Sequence, residues 1–195
     1  ELIVRGDMYA QAIDFSKTDV GTPQSEFYVG GDLFFTNLTF PQYAGMATTL
    51  TVGGNLTGYG GSTIIASGVN LSTNGLYIEV WGNMSVEFVQ LDGWDSNGSG
   101  PGGNGGDLFV GGDLAIFDAF YSTGGVGIDH PAGTGGYVEV RGNFNAGSAS
   151  VFLYGGEGTD GNGGNSGSMD VRGDFTVNDF ECYGGNCYSD SQAFQ

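Results

Sequence analysis

One seven-residue pattern recurs along this chain and constrains its fold more than any other feature. The pattern is an apolar residue, any residue, Val, any residue, Gly, Asp or Asn, and a second apolar residue. Its copies occupy residues 2–8, 27–33, 50–56, 78–84, 108–114, 138–144 and 169–175. The valines of successive copies are 23 to 31 residues apart. A repeat of this length is typical of solenoid proteins, in which each repeat stacks on the next.

Within each copy, apolar residues alternate with residues of any chemical type. Ile78 and Val80, for example, flank Glu79, and an apolar residue follows again at Met84. Alternation with a period of two is typical of a strand that buries one face. Each copy therefore predicts two short strands that meet at a Gly-Asx corner, where Asx is Asp or Asn.

The corner combines a glycine with a short polar side chain. Glycine adopts backbone conformations that a Cβ atom forbids, and an Asx side chain hydrogen-bonds nearby backbone amides. In a solenoid the Asx side chains would stack as a ladder, which we call the corner ladder. Its members are Asp7, Asp32, Asn55, Asn83, Asp113, Asn143 and Asp174. Because the ladder mixes Asp with Asn and lacks the nine-residue spacing of calcium-binding β-rolls, a structural role is favoured over a calcium site.

The segments between the copies contain polar, glycine-rich stretches at 96–106, 122–136 and 155–167. The 40 glycines lack the period of three that collagen requires, so return loops explain them better. These features predict an all-β fold, a right-handed parallel β-helix (β-solenoid) of about seven rungs with Gly-Asx corners and Gly-rich return loops. The solenoid is expected to occupy residues 1–182, and residues 183–195 form a short C-terminal extension.

The two cysteines, Cys182 and Cys187, lie close together at the end of the last repeat. Such a pair predicts a small disulfide loop that joins the extension to the last rung in an oxidising compartment. Two free thiols or an intermolecular bridge remain alternatives. A zinc site on this pair is disfavoured because zinc takes four ligands and His130 is the only histidine.

The charge balance limits the partners. Only 4 Lys and Arg residues oppose 22 Asp and Glu residues, which gives a net charge of -18. Nucleic acid is therefore not expected as a partner, since phosphate binding requires clustered Lys and Arg. No apolar stretch approaches the ~20 residues of a membrane span, so membrane insertion is not expected either. The acidity suits an extracellular location at a cell surface, in water that contains cations. The alternative is that it serves only to keep the protein in solution.

The sequence suggests two further kinds of site. No cofactor is expected, and calcium is the candidate ion, because loop carboxylates are suitable ligands for it. The loop candidates are Asp92, Asp95, Glu157 and Asp160. Sequons for N-glycosylation are more frequent than chance predicts, with Asn37, Asn70 and Asn97 as the candidate acceptors. Asn55 and Asn83 also begin sequons, but a glycan there would obstruct the corner ladder.

Catalysis is not expected, although parallel β-helices often carry polysaccharide-degrading sites. Such a site needs acidic side chains together with Arg, Lys or His groups. Here Arg141 and Arg172 lie beside Glu139 and Asp170 on neighbouring copies, which indicates a surface ion-pair ladder instead.

Outward-facing aromatic residues suggest a surface that binds sugars or a protein partner. The residues are Tyr28, Trp81, Trp94 and Phe109. Aromatic stacking between rungs, or cover by a return loop, is the alternative explanation for them.

The ends of the solenoid are the predicted assembly edges. A solenoid presents an unpaired strand at each end, and soluble repeat proteins usually cover these strands with polar caps. Here Leu2 and Val4 in the first copy, and Val171 and Phe175 in the last, are core residues with no cap apparent beside them. Pairing of one end with the opposite end of another copy would produce rings or filaments.

A glycine-rich, acidic solenoid with sequons and uncapped ends resembles the self-assembling β-solenoid proteins of prokaryotic surfaces, such as the sheath (hoop) proteins of methanogenic archaea. The resemblance covers the repeat region but rests on architecture and composition. It implies a structural subunit that joins end to end, through backbone hydrogen bonds, into an extracellular sheath, tube or fibre. A carbohydrate-binding or adhesive β-helix is the alternative, ahead of a polysaccharide-degrading enzyme.

Overall fold

A computed structural model of the chain describes residues 2–14, 24–42, 47–68, 75–96, 98, 100–159 and 162–185. The secondary structure within these residues is built from β-strands, without a helix. Each copy of the motif supplies two strands, as the alternation predicts, and the two strands belong to different sheets.

Sheet A contains the strands that precede the corners. They are β1 (Leu2–Val4), β3 (Gln24–Val29), β5 (Ala47–Val52), β7 (Tyr77–Val80), β9 (Leu108–Val110), β11 (Tyr137–Val140) and β13 (Ser168–Val171). Sheet B contains the strands that follow the corners. They are β2 (Met8–Asp14), β4 (Leu33–Gln42), β6 (Leu56–Gly68), β8 (Met84–Leu91), β10 (Leu114–Tyr121), β12 (Phe144–Phe152) and β14 (Phe175–Glu181).

Both sheets are parallel and stack their strands in chain order. The motif valines pair with one another from strand to strand, beginning with Val4 and Val29 and ending with Val140 and Val171. The chain is therefore a parallel β-solenoid, and this part of the predicted fold class is confirmed. About five turns, from β3 and β4 to β11 and β12, enclose its buried core.

The core lies between the two sheets. Side chains at the motif's valine position point inward and are fully buried in these turns, as are the apolar residues after each corner, while the residues between them face outward. The buried valines are Val29, Val52, Val80, Val110 and Val140. Burial of one such side chain contributes roughly 1.5–3 kcal/mol. Because neighbouring turns provide this burial, the short strands are stabilised mainly by stacking.

Sheet B is less regular than sheet A because its strands differ in the number of residues between their inward positions. Five residues separate Met84 from Val89, but eight separate Leu56 from Ile64. The extra residues of β6 bulge outward, and Gly61 in the bulge has a φ of 76°, in the left-handed region that glycine adopts most readily.

Each corner forms the same four hydrogen bonds with the corner of the next copy. In three of these bonds, a backbone N–H of the later copy donates to the earlier copy. The donors are the N–H groups of the residue after Val, of Gly and of Asx. Their acceptors are the Val carbonyl, the Gly carbonyl and the Asx Oδ1 of the earlier copy. The fourth bond runs the other way, from the residue after Asx to the Asx carbonyl of the following copy. Between the third and fourth copies these bonds are Trp81 to Val52 (2.9 Å), Gly82 to Gly54 (2.9 Å), Asn83 to Asn55 Oδ1 (2.8 Å) and Leu56 to Asn83 (2.9 Å).

The glycine-rich return segments form a second stack of backbone beside the sheets. Each return segment contributes two stacked stretches of backbone, and an N–H in one stretch donates to a carbonyl in the preceding stretch, over 2.7–2.9 Å. The column joins Trp94, Gly103, Gly125, Gly133, Gly156, Gly164 and Gly185. A Cβ atom on Gly125 or Gly133 would overlap the neighbouring backbone, so the close packing of these stretches requires glycine.

Candidate functional site

The two ends of the described solenoid expose side chains of the type that the interior buries. Leu2 is 38% exposed at one end, and Phe175 is 45% exposed at the other. Val4 and Val171, the other two predicted edge residues, are only partly buried. In the part of the chain that the structure describes, both ends therefore present apolar side chains bordered by strand edges.

The two ends match each other in the spacing of their apolar residues. In β2, Met8 and Ile13 occupy the inward positions, and Phe175 and Phe180 occupy the equivalent positions of β14. Both pairs are five residues apart, whereas β6, β10 and β12 have longer spacings and bulges. Strand β14 of one chain could therefore pair with β2 of a second chain without a bulge.

The corner hydrogen bonds also stop at the two ends in complementary halves. At the first corner, three N–H donors have no partner among the described residues, and at the last corner three oxygen acceptors have none. The donors are the N–H groups of Arg5, Gly6 and Asp7, and the acceptors are the carbonyls of Val171 and Gly173 and Oδ1 of Asp174. The fourth bond is also left incomplete, with the N–H of Phe175 at one end and the carbonyl of Asp7 at the other. The donors and acceptors left over at one end thus match the acceptors and donors left over at the other end.

The corner ladder stacks all seven Asx residues in a column. The Oδ1 atom of each of the first six accepts the backbone N–H of the next, over 2.7–2.9 Å. Asn55 Nδ2 also lies 3.1 Å from Asp32 Oδ1, so this amide is already engaged by its neighbours. The column is a backbone-supporting ladder in which Asn and Asp serve equally, since only Oδ1 is required.

The candidate glycosylation sites lie in different situations. Asn37 is exposed on β4, and its Oδ1 accepts a hydrogen bond from Thr63 Oγ1 at 2.9 Å. Asn70 and Asn97 lie outside the described residues, so their use remains a prediction.

A groove of about 550 Å³ lies on the side formed by the return segments. Three stacked columns line it, because equivalent positions of successive return segments lie above one another. The first column contains Asp92, Thr123, Tyr154 and Tyr183, the second Asp95, Val126 and Glu157, and the third Trp94, Gly156 and Gly185. Sequence analysis did not find this groove, since the residues that line it are spread over almost a hundred positions.

The groove combines aromatic surface with polar groups. Tyr154 stacks on Tyr183 with ring centroids 5.4 Å apart. Burial raises the pKa of Tyr154, and a hydrogen bond that its hydroxyl donates to Glu181 raises it further, so the phenol stays protonated. The Nε1 atom of Trp94 is buried and has no hydrogen-bond partner among the described residues. A buried N–H without an acceptor is uncommon, since most buried polar groups in native structures are hydrogen-bonded.

Three of the four calcium candidates, Asp92, Asp95 and Glu157, line this groove, and Asp160 lies outside the described residues. The carboxylates are engaged by the fold. Asp92 Oδ1 accepts from Thr123 Oγ1 at 2.6 Å, and Asp95 Oδ1 accepts from the Val126 N–H at 2.8 Å. Within the described ranges no three acidic, His or Cys side chains cluster as metal ligands. Calcium binding here therefore stays a prediction.

The outward aromatic residues do not form one surface. Trp81 packs edge-on against Phe109 on sheet A, whereas Trp94 lines the groove. A separate column, which sequence analysis missed, runs along the outer face of sheet B. It consists of Tyr9, Phe34 and Tyr59, with stacked rings 4.6 and 6.0 Å apart. The outward positions of β2 and β4 could have revealed its first two members, but Tyr59 lies in a bulge.

The predicted ion-pair ladder forms only in part. Arg141 Nε and Arg172 Nη2 both bind Glu139 Oε1, at 3.2 and 3.0 Å. Asp170, the expected second acid, has no partner among the described residues. An arginine of the last copy thus binds the acid of the preceding copy, and the acid of the last copy is left over.

The cysteines cannot be compared with their prediction, because Cys187 lies outside the described residues. Cys182 is exposed, and its Sγ lies 3.2 Å from the Gly167 carbonyl. The disulfide therefore remains a prediction.

The described residues contain no helix of the length and apolarity needed to cross a lipid bilayer. Comparison of the chain with protein-family models, with curated proteins and with solved structures finds no match.

Proposed function

We propose that this chain is a structural subunit that joins end to end into an extracellular sheath, tube or fibre at a cell surface. In this proposal the solenoid is right-handed and has seven rungs, one for each motif copy. The observation that carries the proposal is the complementarity of the two ends. The four corner bonds recur six times inside the chain, and the ends hold the separated halves of a seventh set.

A head-to-tail joint would continue the interior of the solenoid. Asp174 Oδ1 would accept the N–H of Asp7, as Asn143 Oδ1 accepts that of Asp174 at 2.9 Å. Leu2, now exposed, would be covered by Met169 in the same column. Because Phe175 would cover Met8 in sheet B, both walls of the core would run through the joint, and apolar burial would drive association.

The net charge of -18 opposes this association, since each subunit repels the next. At an ionic strength of about 0.15 M the Debye length is about 8 Å, which screens the repulsion between whole subunits but acts less on contacts inside the joint. Assembly is therefore expected to increase with salt. The resemblance to sheath proteins supports the same proposal, as do the predicted disulfide and the sequons, which suit an extracellular glycoprotein.

The purified chain is expected to form rods, tubes or hoops in electron micrographs at physiological ionic strength. Lys in place of Leu2, or in place of Phe175, should prevent this by placing a charge in the joint, with about a tenfold or greater rise in the concentration needed for assembly. Light scattering measures that concentration. A Phe117→Lys variant is the control, because Phe117 is exposed on the side of the solenoid and should tolerate the change.

Mixing the two edge variants tests the direction of the joint. Each variant alone keeps one intact end, but that end meets only blocked partners. A 1:1 mixture should form heterodimers and stop there, because the intact β13–β14 end of the Leu2→Lys chain can join the intact β1–β2 end of the Phe175→Lys chain. Wild-type protein that remains monomeric at high concentration would contradict the proposal, and so would edge variants that assemble as the wild type does.

A second candidate function, binding of carbohydrate, is favoured by the groove. A tyrosine pair, a tryptophan with an unpaired N–H and three carboxylates line one open cavity, and aromatic faces with a few placed polar groups are typical of ligand sites. The sugar would stack on the exposed ring of Tyr183. This function is compatible with assembly, since the groove lies on the side of the solenoid.

Replacement of Tyr183 by alanine is expected to weaken such binding about tenfold, because the ring on which the sugar stacks is lost. An oligosaccharide array would identify the ligand, and isothermal titration calorimetry would measure the difference. Tyr9→Ala is the matched control, since Tyr9 is exposed on β2 and does not line the groove. An array without any bound oligosaccharide would refute this second function.

A further inference from the structure

The outer face of sheet A shows one side-chain contact twice, between neighbouring copies of the motif. In each case an arginine lies directly after the motif valine. It contacts the residue directly before the motif valine of the previous motif copy. Arg141 places its guanidinium 4.7 Å from the centre of the Phe109 ring, and Arg172 Nη2 lies 3.0 Å from Glu139 Oε1. The contact follows from the stacking, because parallel strands set both positions on the same outer face.

The ends of the described solenoid hold the two halves of a third such contact. Asp170 precedes the valine of the last copy, and Arg5 follows the valine of the first. Both side chains are exposed, and neither has a partner among the described residues. Three of the chain's four basic residues occupy the same motif position. Of these three, Arg5 alone has no side-chain contact with another described residue.

We infer that Arg5 of one subunit binds Asp170 of the neighbouring subunit across the end-to-end joint. This ion pair selects the partner subunit and the register of the joint. The inference rests on the proposed function, because it requires that two copies meet end to end. In the joined state a row of charged side chains would run from Glu139 and Arg172 to Asp170, and then to Arg5 of the second subunit. The partner is thus another copy of this chain in head-to-tail orientation.

The pair acts on specificity more than on strength. An exposed ion pair contributes little to stability, but like charges placed at the same positions are strongly unfavourable. A head-to-head contact would bring two Arg5 side chains to the same edge, and a tail-to-tail contact would do the same with two Asp170 side chains. Within an acidic chain that has few cations, the position of Arg5 makes the head-to-tail joint the favoured one.

Charge reversal tests the inference. Arg5→Asp and Asp170→Arg should each raise the concentration for half-assembly about tenfold, as measured by light scattering. The double variant carries Asp at the first edge and Arg at the last, so its subunits again meet with opposite charges. Its concentration for half-assembly should therefore be close to that of the wild type. Asp118→Arg is the matched control, since it makes the same charge change at an exposed position on β10. Circular dichroism should show that all four variants fold.

The outcomes separate this inference from the proposed function. If the wild type assembles and the single reversals assemble equally well, the ion pair is wrong and end-to-end assembly stands. The same holds if the double variant is no better than the single ones. If the wild type does not assemble under any salt concentration, the proposed function fails and the ion pair fails with it.

Discussion

Replacement of Gly82 by alanine is expected to lower the free energy of unfolding by about 3 kcal/mol. Gly82 is the corner glycine of the fourth copy, and its N–H lies 2.9 Å from the Gly54 carbonyl. A Cβ atom there would lie 2.7 Å from Asn55 Oδ1 and 2.7 Å from that carbonyl oxygen. Relief of the overlap requires the two corners to move apart, which lengthens the hydrogen bonds of the corner ladder. Urea denaturation followed by circular dichroism would measure the loss.

The same change at the first corner provides the control. Gly6 occupies the equivalent position, but a Cβ atom on it meets nothing within 4 Å, because no copy lies before it in the described chain. Gly6→Ala should therefore leave the free energy of unfolding within about 0.5 kcal/mol of the wild type. In the proposed joint, however, Gly6 lies against Asp174 of the neighbouring copy, so Gly6→Ala should still impair assembly. Equal destabilisation by both variants would show that the corners are not in close contact.

Replacement of Phe120 by alanine is expected to cost about 3–5 kcal/mol of stability. Phe120 lies on β10 near the middle of the solenoid and is 1% exposed. It pairs with Val89 on one side and Val151 on the other, so its ring fills the core across three turns. Its removal leaves a cavity that the stacked strands cannot close without breaking their register. Thermal or urea unfolding would measure the effect.

Phe117 on the same strand is the matched control, since it is 56% exposed. Phe117→Ala removes the same atoms from an outward position and should cost less than about 1 kcal/mol. A similar loss for both variants would mean that β10 does not orient its side chains as the structure shows. Such a result would also undermine the alternation from which the fold was predicted.

Much of the solenoid could be predicted because its rule is local. Val80, for example, is inward because it lies two residues from Ile78, and Gly82 forms a corner because it precedes Asn83. Seven repetitions of these short-range relations leave little freedom except to stack in register. The corner ladder followed from the same logic, since equivalent residues of stacked parallel strands must lie above one another.

The ion pairs show where this logic becomes incomplete. The motif positions of Arg141, Arg172 and Glu139 placed them on one face, and the structure brings them together. The motif alone did not show that both arginines would bind the same acid and leave Asp170 without a partner. That choice depends on the reach of each side chain between neighbouring strands, which sequence spacing does not contain.

The strands, the corners, the inward faces and the stacking order follow from the amino-acid pattern, because each depends on residues that every copy of the motif repeats. The bulges of sheet B, the glycine column of the return segments and the groove that contains Trp94 emerge only in the folded chain. These features depend on contacts between segments of unequal length that share no periodic pattern. Their positions are determined by close packing of backbone from successive turns, and that packing exists only once the turns have stacked.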